Sequence, residues 1–447
     1  MKRLALLALL GTLGCASTKP TTSRAEVRGL VQARGGVRDA VARDSEADVK
    51  ARIDALLAEP LTDASAVAIA LLNNPEFHAT LESLGLAQAD LVEAGLLDNP
   101  AVGGHLVIST AGNGLGGGLG LSQSILSAFL IPAKRRLAKA QVKHAVLTTG
   151  DAALHLLRDT KVALADVRAV SRHVLLQRTV VQAAEVADDL AQRQFDAGNL
   201  APFERDHVGT ELDEARLELL HHEVELVAAR ETLNRTLGLW GDDIDWTLAP
   251  EGAAGDASID LAALERRAVA ERLDVSAARV EVEAVQRAVE LRRRGVVSAV
   301  DVGVEAGNEV GNDEGHEWVL GPSLSIELPL FNPGHADFAR LRAQLRQADA
   351  NLRAVAIRAR SEVRLRGETL RAAQRARRYV DGTIVPRRAS MTQRALEQYN
   401  GMLIGAYDLF EARVAEVHAQ MEAAEAARAV AIARADLELA VGGTLEG

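Results

Sequence analysis

Two short stretches decide the fold of this chain, QFDAGNLAPFE at residues 194–204 and QYNGMLIGAYD at residues 398–408. They lie 204 residues apart and carry similar residue types in the same order. The matched pairs are Gln194-Phe195 with Gln398-Tyr399, Leu200 with Ile404, Phe203 with Tyr407, and Glu204 with Asp408. An internal match of this kind predicts two structurally equivalent halves.

Each stretch is predicted to be the turn of a long helical hairpin. No proline occurs between Pro132 and Pro202, which predicts one helix of about 60 residues from Ala133 to Gln194. A returning helix is expected over residues 203–237. In the second half, a long helix is expected from Pro333 towards residue 381. Its interruption is expected at residues 382–386, because an interior proline breaks or kinks a helix. The last helix is expected over residues 407–440.

The returning helix of the first half carries two apolar stripes. One has the alternating three- and four-residue spacing of a coiled-coil seam: Leu212, Ala215, Leu219, His222, Leu226, Ala229 and Leu233. The second consists of Leu217, Leu220, Val224 and Val227, which predicts a neighbour on each side of the helix. The last helix has one seam, Val414, Val417, Met421, Ala424, Ala431 and Ala435, which Arg428 interrupts.

Four segments change from a helical period to the two-residue period of strands: residues 100–109, 117–126, 297–307 and 319–330. In the second segment, Leu119 and Leu121 share one face, while glycines and serines occupy the other. Each half therefore follows the order helix, two strands, long helix, helix. The glycine-rich stretch at residues 112–117 contains a formal GxGxxG, but alternating strands flank it, so it is interpreted as a hairpin loop.

The repeat sets the predicted domain organisation. The segments are a signal peptide at 1–14, a lipid-anchored tether with a short helix at 15–60, the first repeat at 61–240, a linker at 241–258, the second repeat at 259–443 and a tail at 444–447. Residues 16–36 are interpreted as the tether, and the short helix is expected near 38–58. In the first repeat, Asn73-Asn74-Pro75 is expected to separate two helices, whereas the second repeat is expected to open with a single helix over 259–293.

The first fifteen residues predict an exported lipoprotein. A charged start, Met1-Lys2-Arg3, precedes an apolar run from Leu4 to Leu13 and then Gly14-Cys15. Cys15 is the only cysteine in the chain and is expected to become the lipidated first residue. The alternative is a plain signal peptide with an incidental cysteine. Past the signal peptide, no run of 18 apolar residues occurs, so a membrane crossing would require a β-barrel.

Composition excludes some functions. A net charge of −11 without an obvious basic face argues against nucleic acid as a partner. No Ser/His/Asp or Cys/His set can be proposed, so neither catalysis nor a cofactor is expected. The eleven histidines are interpreted as solvated surface residues, and no metal site is expected.

Four strands per chain cannot close a useful barrel, whereas three chains would give twelve. At this point residues 66–102, AVAIALLNNPEFHATLESLGLAQADLVEAGLLDNPAV, resemble the opening of the outer-membrane efflux (TolC-like) family. Residues 194–237 and 397–442 resemble its two hairpins. The resemblance implies a mainly α fold with a small β part. It implies a homotrimeric α-barrel of coiled-coil-like hairpins that continues a twelve-stranded transmembrane β-barrel in the outer membrane, with long helices in the periplasm.

The resemblance also implies a function and its site residues. The chain would be the passive exit duct of a tripartite efflux system, docking a periplasmic adaptor protein and an inner-membrane pump. The adaptor contacts would be at the two turns, at Asn199, Leu200, Ala201, Leu403, Ile404 and Gly405, unless these are ordinary solvent turns. Asp408 and Glu411 would ring the periplasmic aperture, unless they are acids favoured by a helix N-terminus.

Two other functions stay open on the sequence. A periplasmic adaptor-like lipoprotein of an export system also carries a helical hairpin, but one per chain and flanked by β-rich modules. A lipoprotein enzyme would need a cluster of reactive side chains, and none emerges.

Overall fold

The computed structural model describes residues 21–36, 46–108, 115–250, 260–295, 300–310, 316–328, 330–331 and 333–445. Two helices, α1 (Thr21–Gly35) and α2 (Glu46–Leu57), precede the first repeat, which contains α3 (Asp63–Asn73), α4 (Pro75–Glu93), β1 (Ala101–Ile108), β2 (Leu115–Ser124), α5 (Ile125–Asp196) and α6 (Pro202–Leu237). The second repeat contains α7 (Leu261–Glu271), α8 (Leu273–Arg294), β3 (Val300–Val310), β4 (His316–Ile326), α9 (His335–Tyr379), a π-helical turn (Val380–Ile384), α10 (Val385–Asn400) and α11 (Ala406–Val441). In both repeats two strands, a long helix and a returning helix follow one another in the predicted order.

The chain divides into two compact units. One unit comprises Met1–Arg24, Leu81–Thr148 and Asp274–Val355, and it holds the β-sheet. The other comprises Ala25–Thr80, Thr149–Leu273 and Ala356–Gly447, and it holds both hairpin turns. No described helix has an apolar stretch long enough to cross a lipid bilayer.

The sheet is an antiparallel meander in the order β1-β2-β3-β4, so β2 and β3 join the two repeats. The register aligns Val102 with Leu121 and Leu121 with Val304, which places the apolar residues of neighbouring strands on one face. The other face is paved by small residues, because Gly103 pairs with Gly120 and Ser122 pairs with Gly303. The alternation predicted for the strands is confirmed, although β3 and β4 are shifted by about three residues.

The second unit is built around two related cores. The first packs α2, α3, α5 and α6 together through Ile53, Leu61, Ile69, Leu164, Leu233, Leu237 and Trp246. The second packs α7, α9 and α11 through Ala268, Val363, Leu370, Val430, Leu437 and Val441. Leu233 and Leu437 are equivalent by the 204-residue offset, as are Leu237 and Val441. The repeat is therefore a repeat of packing as well as of sequence.

The helix break at Asn73-Asn74-Pro75 is confirmed, and it has a second role. The Asn73 side-chain amide donates to the carbonyl of Gly238 at 2.7 Å, and that of Asn74 donates to Thr236 at 2.9 Å. Gly238 has a φ of 71°, and a Cβ there would lie 2.4 Å from the Asn73 carbonyl oxygen. This close approach requires glycine. The break between α3 and α4 therefore fixes the end of α6.

Three predicted boundaries are wrong. Thr21–Gly35 is a helix and not a tether, because Val27 and Val31, one turn apart, are buried. The long helix begins at Ile125 and contains Pro132, since β2 ends at Ser124 and passes directly into it. The single helix expected at 259–293 is two helices that separate at Arg272.

The break at Arg272 follows the first repeat. Its φ and ψ are −56° and 136°, close to the −66° and 118° of Asn74. In both, the backbone N–H still donates to the carbonyl four residues earlier, in Ala268 and Ala70. Neither proline nor asparagine announces this break in the sequence. The interruption expected at 382–386 is a π-helical turn at Val380–Ile384, through which the helix continues.

Packing contacts hold the described part of the predicted linker, up to residue 250. Trp246 is buried, its indole N–H donates to the Asn234 side chain at 2.8 Å, and the Arg230 guanidinium lies 4.0 Å from its ring centroid. Leu61 and Leu248 form an isolated β-bridge. Residues 251–259 lie outside the described residues.

Candidate functional site

The first hairpin turn is closed by backbone hydrogen bonds after α5. The N–H of Gly198 donates to the carbonyl of Phe195 at 2.9 Å, and that of Asn199 donates to Gln194 at 2.8 Å. Gly198 has a φ of 74°, the left-handed conformation in which glycine has no steric penalty. The chain then enters α6 at Pro202, where a proline suits the first helical position.

The second turn repeats this geometry. The N–H of Met402 donates to the carbonyl of Tyr399 at 2.9 Å, and that of Leu403 donates to Gln398 at 2.9 Å. The donors and acceptors are those of the first turn moved by 204 residues. Met402 takes the place of Gly198 and has a φ of 57°, so a side chain occupies a backbone conformation that favours glycine.

Each returning helix begins with an acid that caps its own backbone. Glu204 accepts a hydrogen bond from the N–H of Ala201 at 3.3 Å, and Asp408 accepts one from Gly405 at 2.8 Å. Asp408 and Glu411, the predicted aperture residues, are both exposed and lie one turn apart. Asp408 therefore has a local capping role that is compatible with an additional role in an assembly.

The six residues predicted to dock an adaptor lie at the two turns but differ in exposure. Leu403 is 77% exposed, and Asn199, Ala201 and Gly405 are exposed. Leu200 and Ile404 are both half-buried. Leu200 packs against Ala187, Ala191 and Val208. Two exposed apolar side chains were missed, Met402 and Phe203, which are 93% and 81% exposed.

The two turns contact each other through Tyr407. Its hydroxyl donates to the Gln194 side-chain oxygen at 2.9 Å, and its ring joins Phe410 against the same cluster as Leu200. Burial raises the pKa of the Tyr407 phenol, and the charge of Glu204 raises it further. A neutral donor therefore holds the second turn against the first. The sequence carried a signal for this difference, because Tyr407 matches Phe203, which lacks the hydroxyl.

Ion pairs link residues 158–166 of α5 to residues 428–438 of α11. Their nitrogen–oxygen distances are 2.7 Å for Arg158–Asp436, 2.6 Å for Lys161–Glu438 and 2.6 Å for Arg428–Asp166. Arg428, the polar interruption of the last seam, thus has a partner on α5. In each of the first two pairs, α5 supplies the cation and α11 the anion.

Among the described residues, no group of three or more His, Cys, Asp or Glu side chains could hold a metal ion. His222 departs from the expected solvated surface. The side chain of His222 is 15% exposed, its ring centroid lies 5.5 Å from that of His173, and its Nδ1 lies 3.0 Å from Glu225. Cys15, the predicted lipidation site, lies outside the described residues.

The chain matches a known family over both repeats. The family model described as outer membrane efflux protein matches residues 66–239 and 264–443, together most of the 447 residues. A match to two complete repeats favours the duct over the single-hairpin adaptor. No curated protein matches the sequence.

Several crystal structures share the fold at low sequence identity. A membrane protein from Pseudomonas aeruginosa superposes with a TM-score of 0.69 at 17% identity, covering 91% of this chain and 98% of that one. The CmeC outer membrane channel of Campylobacter jejuni gives 0.70 at 14% identity, covering 91% and 89%. The open state of the MtrE outer membrane channel of Neisseria gonorrhoeae gives 0.65 at 16% identity, covering 85% and 88%.

Proposed function

This chain belongs to the outer membrane efflux protein family, and we propose that it is the outer-membrane exit duct of a tripartite efflux system. Three copies each contribute four strands to one twelve-stranded barrel in outer-membrane lipid and two hairpins to one α-barrel in the periplasm. The duct conducts substrates passively from pump and adaptor to the cell exterior.

The observation that carries this proposal is the exposed apolar face of the sheet. Val102, Leu106, Leu119, Leu320 and Leu324 lie on that face and are each at least 66% exposed. An apolar surface of this extent is unstable in water but suits lipid. Among the described strands, β1 and β4 each have a partner on one side only. Their free edges need further strands, which additional copies of the same chain supply.

The opposite face of the sheet suits water. It carries Ser122, Ser323 and a contact between His105 and Glu305, whose Nδ1 and Oε1 atoms lie 2.9 Å apart. The His105 side chain crosses Gly118 on the intervening strand, where a Cβ would lie only 2.7 Å from its ring. Polar groups and small residues on one face and apolar groups on the other are what a strand pair needs between lumen and lipid.

Electrical recording tests the duct directly. Purified full-length protein added to a planar lipid bilayer is expected to produce discrete, long-lived current steps carried by ions in the bathing salt. Current no greater than that of a protein-free bilayer would overturn the proposal. A variant with Leu106→Asp and Leu320→Asp is the matched control. Charged side chains on the lipid-facing side oppose insertion, and Asp does so by less than the roughly 2–4 kcal/mol of Arg or Lys near the midplane, so fewer steps are expected from it.

The two turns dock the periplasmic adaptor in this proposal. Asn199, Leu200, Ala201, Leu403, Ile404 and Gly405 form the docking region, to which the exposed Met402 and Phe203 add apolar surface. The double variant Met402→Glu with Leu403→Glu is expected to lose export and adaptor co-purification while keeping the native mass. Leu175→Glu, at an exposed leucine on α5 away from the turns, is the control. Undiminished adaptor binding in the double variant argues against docking.

Asp408 and Glu411 form the aperture in this proposal. Three copies bring six carboxylates around one axis, and such a ring attracts cations. The variant Asp408→Asn with Glu411→Gln is expected to lose cation selectivity in the bilayer recording. Asparagine keeps an acceptor for the Gly405 N–H, so the helix cap survives. Glu422→Gln, an exposed acid further along α11, is the control. Unchanged cation selectivity in the double variant would mean that Asp408 only caps the N-terminus of α11.

Cys15 anchors the N-terminus to outer-membrane lipid in this proposal. Mass spectrometry of the N-terminal peptide is expected to show a diacylglyceryl and a fatty-acyl group on Cys15. Cys15→Ser should abolish both additions. An unmodified thiol on Cys15 would mean that the N-terminal segment is a plain signal peptide.

A further inference from the structure

The polar face of the sheet carries a contact that crosses a whole strand. His105 on β1 and Glu305 on β3 are separated by β2, yet Nδ1 of the histidine lies 2.9 Å from Oε1 of the glutamate. Strands on either side of a third strand lie roughly 9–10 Å apart, so both side chains lean across the strand between them. About half of each side chain stays exposed, 51% for His105 and 45% for Glu305.

Two glycines on β2 leave the space for this contact. The register pairs His105 with Gly118 and Glu305 with Gly120. A Cβ at Gly118 would lie 2.7 Å from Cε1 of His105, and a Cβ at Gly120 would lie 3.8 Å from Cγ of Glu305. A side chain at position 118 would therefore push the imidazole away from the sheet. The sequence of β2 thus fixes where the histidine ring lies.

The described strands carry acids but no permanently charged base. Together β1, β2, β3 and β4 contain four acids and two histidines, with neither lysine nor arginine. Toward His105, β2 presents only glycine and serine, whereas β3 presents Glu305 and, on the same face, Asp301. The other two acids, Glu309 and Glu317, are partners in the register of β3 with β4. His105 is therefore the base that can offset the carboxylates of this face.

The contact between His105 and Glu305 suits both charge states of the ring. Imidazole is the side chain that ordinarily takes up a proton between about pH 8 and pH 5, while most carboxylates stay ionised. A neutral ring with its proton on Nδ1 and a charged ring both donate from Nδ1, so the contact does not have to break on protonation. A proton on His105 adds one positive charge beside Glu305. Removal of the Glu305 carboxylate would change the net charge at the same place by the same amount.

Resting on the duct proposed above, we infer that His105 is a specificity-determining residue of the pore. It sets, according to pH, how strongly the strand region favours cations over anions. At neutral pH the Glu305 carboxylates of all copies attract cations. In acid the imidazolium groups offset these carboxylates, and the preference for cations falls. This site is separate from Asp408 and Glu411, because it lies in the unit that holds the sheet and they lie in the unit that holds the turns.

Salt concentration sets the reach of these charges into the pore. The screening length is about 30 Å at 0.01 M salt and about 3 Å at 1 M. Charges on the wall of a pore therefore act on ions across it in dilute salt, but only on ions beside them in concentrated salt. The pH dependence that His105 confers is expected in dilute salt and should disappear in concentrated salt.

Reversal potentials of single pores test the inference. Full-length protein is recorded in a planar bilayer under a gradient of dilute potassium chloride, at about pH 8 and at about pH 5.5, on either side of the ordinary imidazole range. The net charge of Asp301, Glu305 and His105 changes from −2 to −1 per chain when the ring is protonated, so the ratio of K⁺ to Cl⁻ permeability is expected to fall roughly twofold. His105→Gln, which cannot take up this proton, should abolish the fall.

Two further variants control the measurement. His155→Gln is the matched control, because His155 also lies beside a carboxylate, 3.7 Å from Asp151, but on α5 and outside the sheet. It should keep the fall. Glu305→Gln should give at about pH 8 the permeability ratio that the unaltered protein has at about pH 5.5, since both changes add one positive charge at the same place. This variant decides the question if His105→Gln does not insert.

The outcomes separate this inference from the duct on which it rests. A fall in the permeability ratio that His105→Gln removes, His155→Gln keeps and concentrated salt abolishes supports the inference. An equal fall in the unaltered protein and in His105→Gln overturns it and leaves the duct intact. So does a pore of the unaltered protein with no fall, or a Glu305→Gln pore whose ratio at about pH 8 is unchanged. The absence of single-pore currents from the unaltered protein overturns the duct and the inference together.

Discussion

The returning helices α6 and α11 are alike in backbone and unlike in surroundings. Both contain 36 residues, both follow a turn with the same hydrogen bonds, and both end at a left-handed glycine. In the single chain, however, the face of α11 that carries Arg428 lies on α5, whereas the equivalent face of α6 is exposed at Val224. The same face of the returning helix is therefore covered within the chain in the second repeat and exposed in the first.

The largest expected effect is at the second apolar stripe of α6, which is exposed in the single chain. Leu220→Glu with Val224→Glu is expected to reduce the native mass in detergent to that of one chain. Each such side chain contributes roughly 1.5–3 kcal/mol when buried, and every junction in the assembly loses both. Thr232→Glu, an exposed position of α6 outside the stripe, should keep the mass of several chains. An unchanged mass for the double variant would mean that the stripe is not an interface.

A smaller effect is expected at the two hairpin turns, which differ in backbone strain. Gly198→Ala places a side chain at a φ of 74° with open space around it, so backbone strain alone should destabilise the first turn by about 1 kcal/mol. Met402→Gly should stabilise the second turn by a similar amount. Hydrogen exchange of the Asn199 and Leu403 amides measures the two turns separately, because these groups close them. Changes of the same sign in both variants contradict this account.

The smallest effect concerns the bond between the two turns. Tyr407→Phe makes the second turn resemble the first at this position and removes a hydrogen bond of about 0.5–1.5 kcal/mol. The spin–spin distance between labels at Ala197→Cys and Gly401→Cys is expected to broaden. Phe203→Tyr is the reciprocal control and should leave this distance distribution unchanged.

The same bond has a predicted pH dependence. The pKa of Tyr407 is raised in the folded protein, so the neutral phenol is favoured by folding. Its contribution is fully present below the ordinary tyrosine pKa of about 10 and is lost as the pH rises through the higher folded value. The label distance should therefore broaden above pH 10 in a background with Tyr407 and show no such step with Tyr407→Phe. A step that persists in the variant would have another origin.

Regular patterns made most of the fold predictable from the sequence. The spacing of prolines predicted the long helices, and the two-residue alternation predicted the strands. The 204-residue offset predicted that the two turns are equivalent. Boundaries failed where local signals were weak or where packing decided. The helix breaks at Arg272, which is equivalent to Asn74 in the first repeat. Helix α1 forms because Val27 and Val31 are buried. Neither fact is visible in a window of neighbouring residues.

The candidate site was predictable in position but not in detail. The 204-residue offset located both turns. The partial burial of Leu200 arises from its packing against Ala187, Ala191 and Val208, which the sequence of the turn does not show. The second stripe of α6 was predicted to have a neighbour, and in the single chain it is exposed.

Native mass spectrometry of the detergent-solubilised protein measures how many copies of the chain form the proposed duct. In the proposed duct, three copies contribute four strands each to one barrel that encloses a water-filled pore. The account predicts a single species with the mass of three mature chains. A species with the mass of one chain, stable across detergents and concentrations, would contradict it.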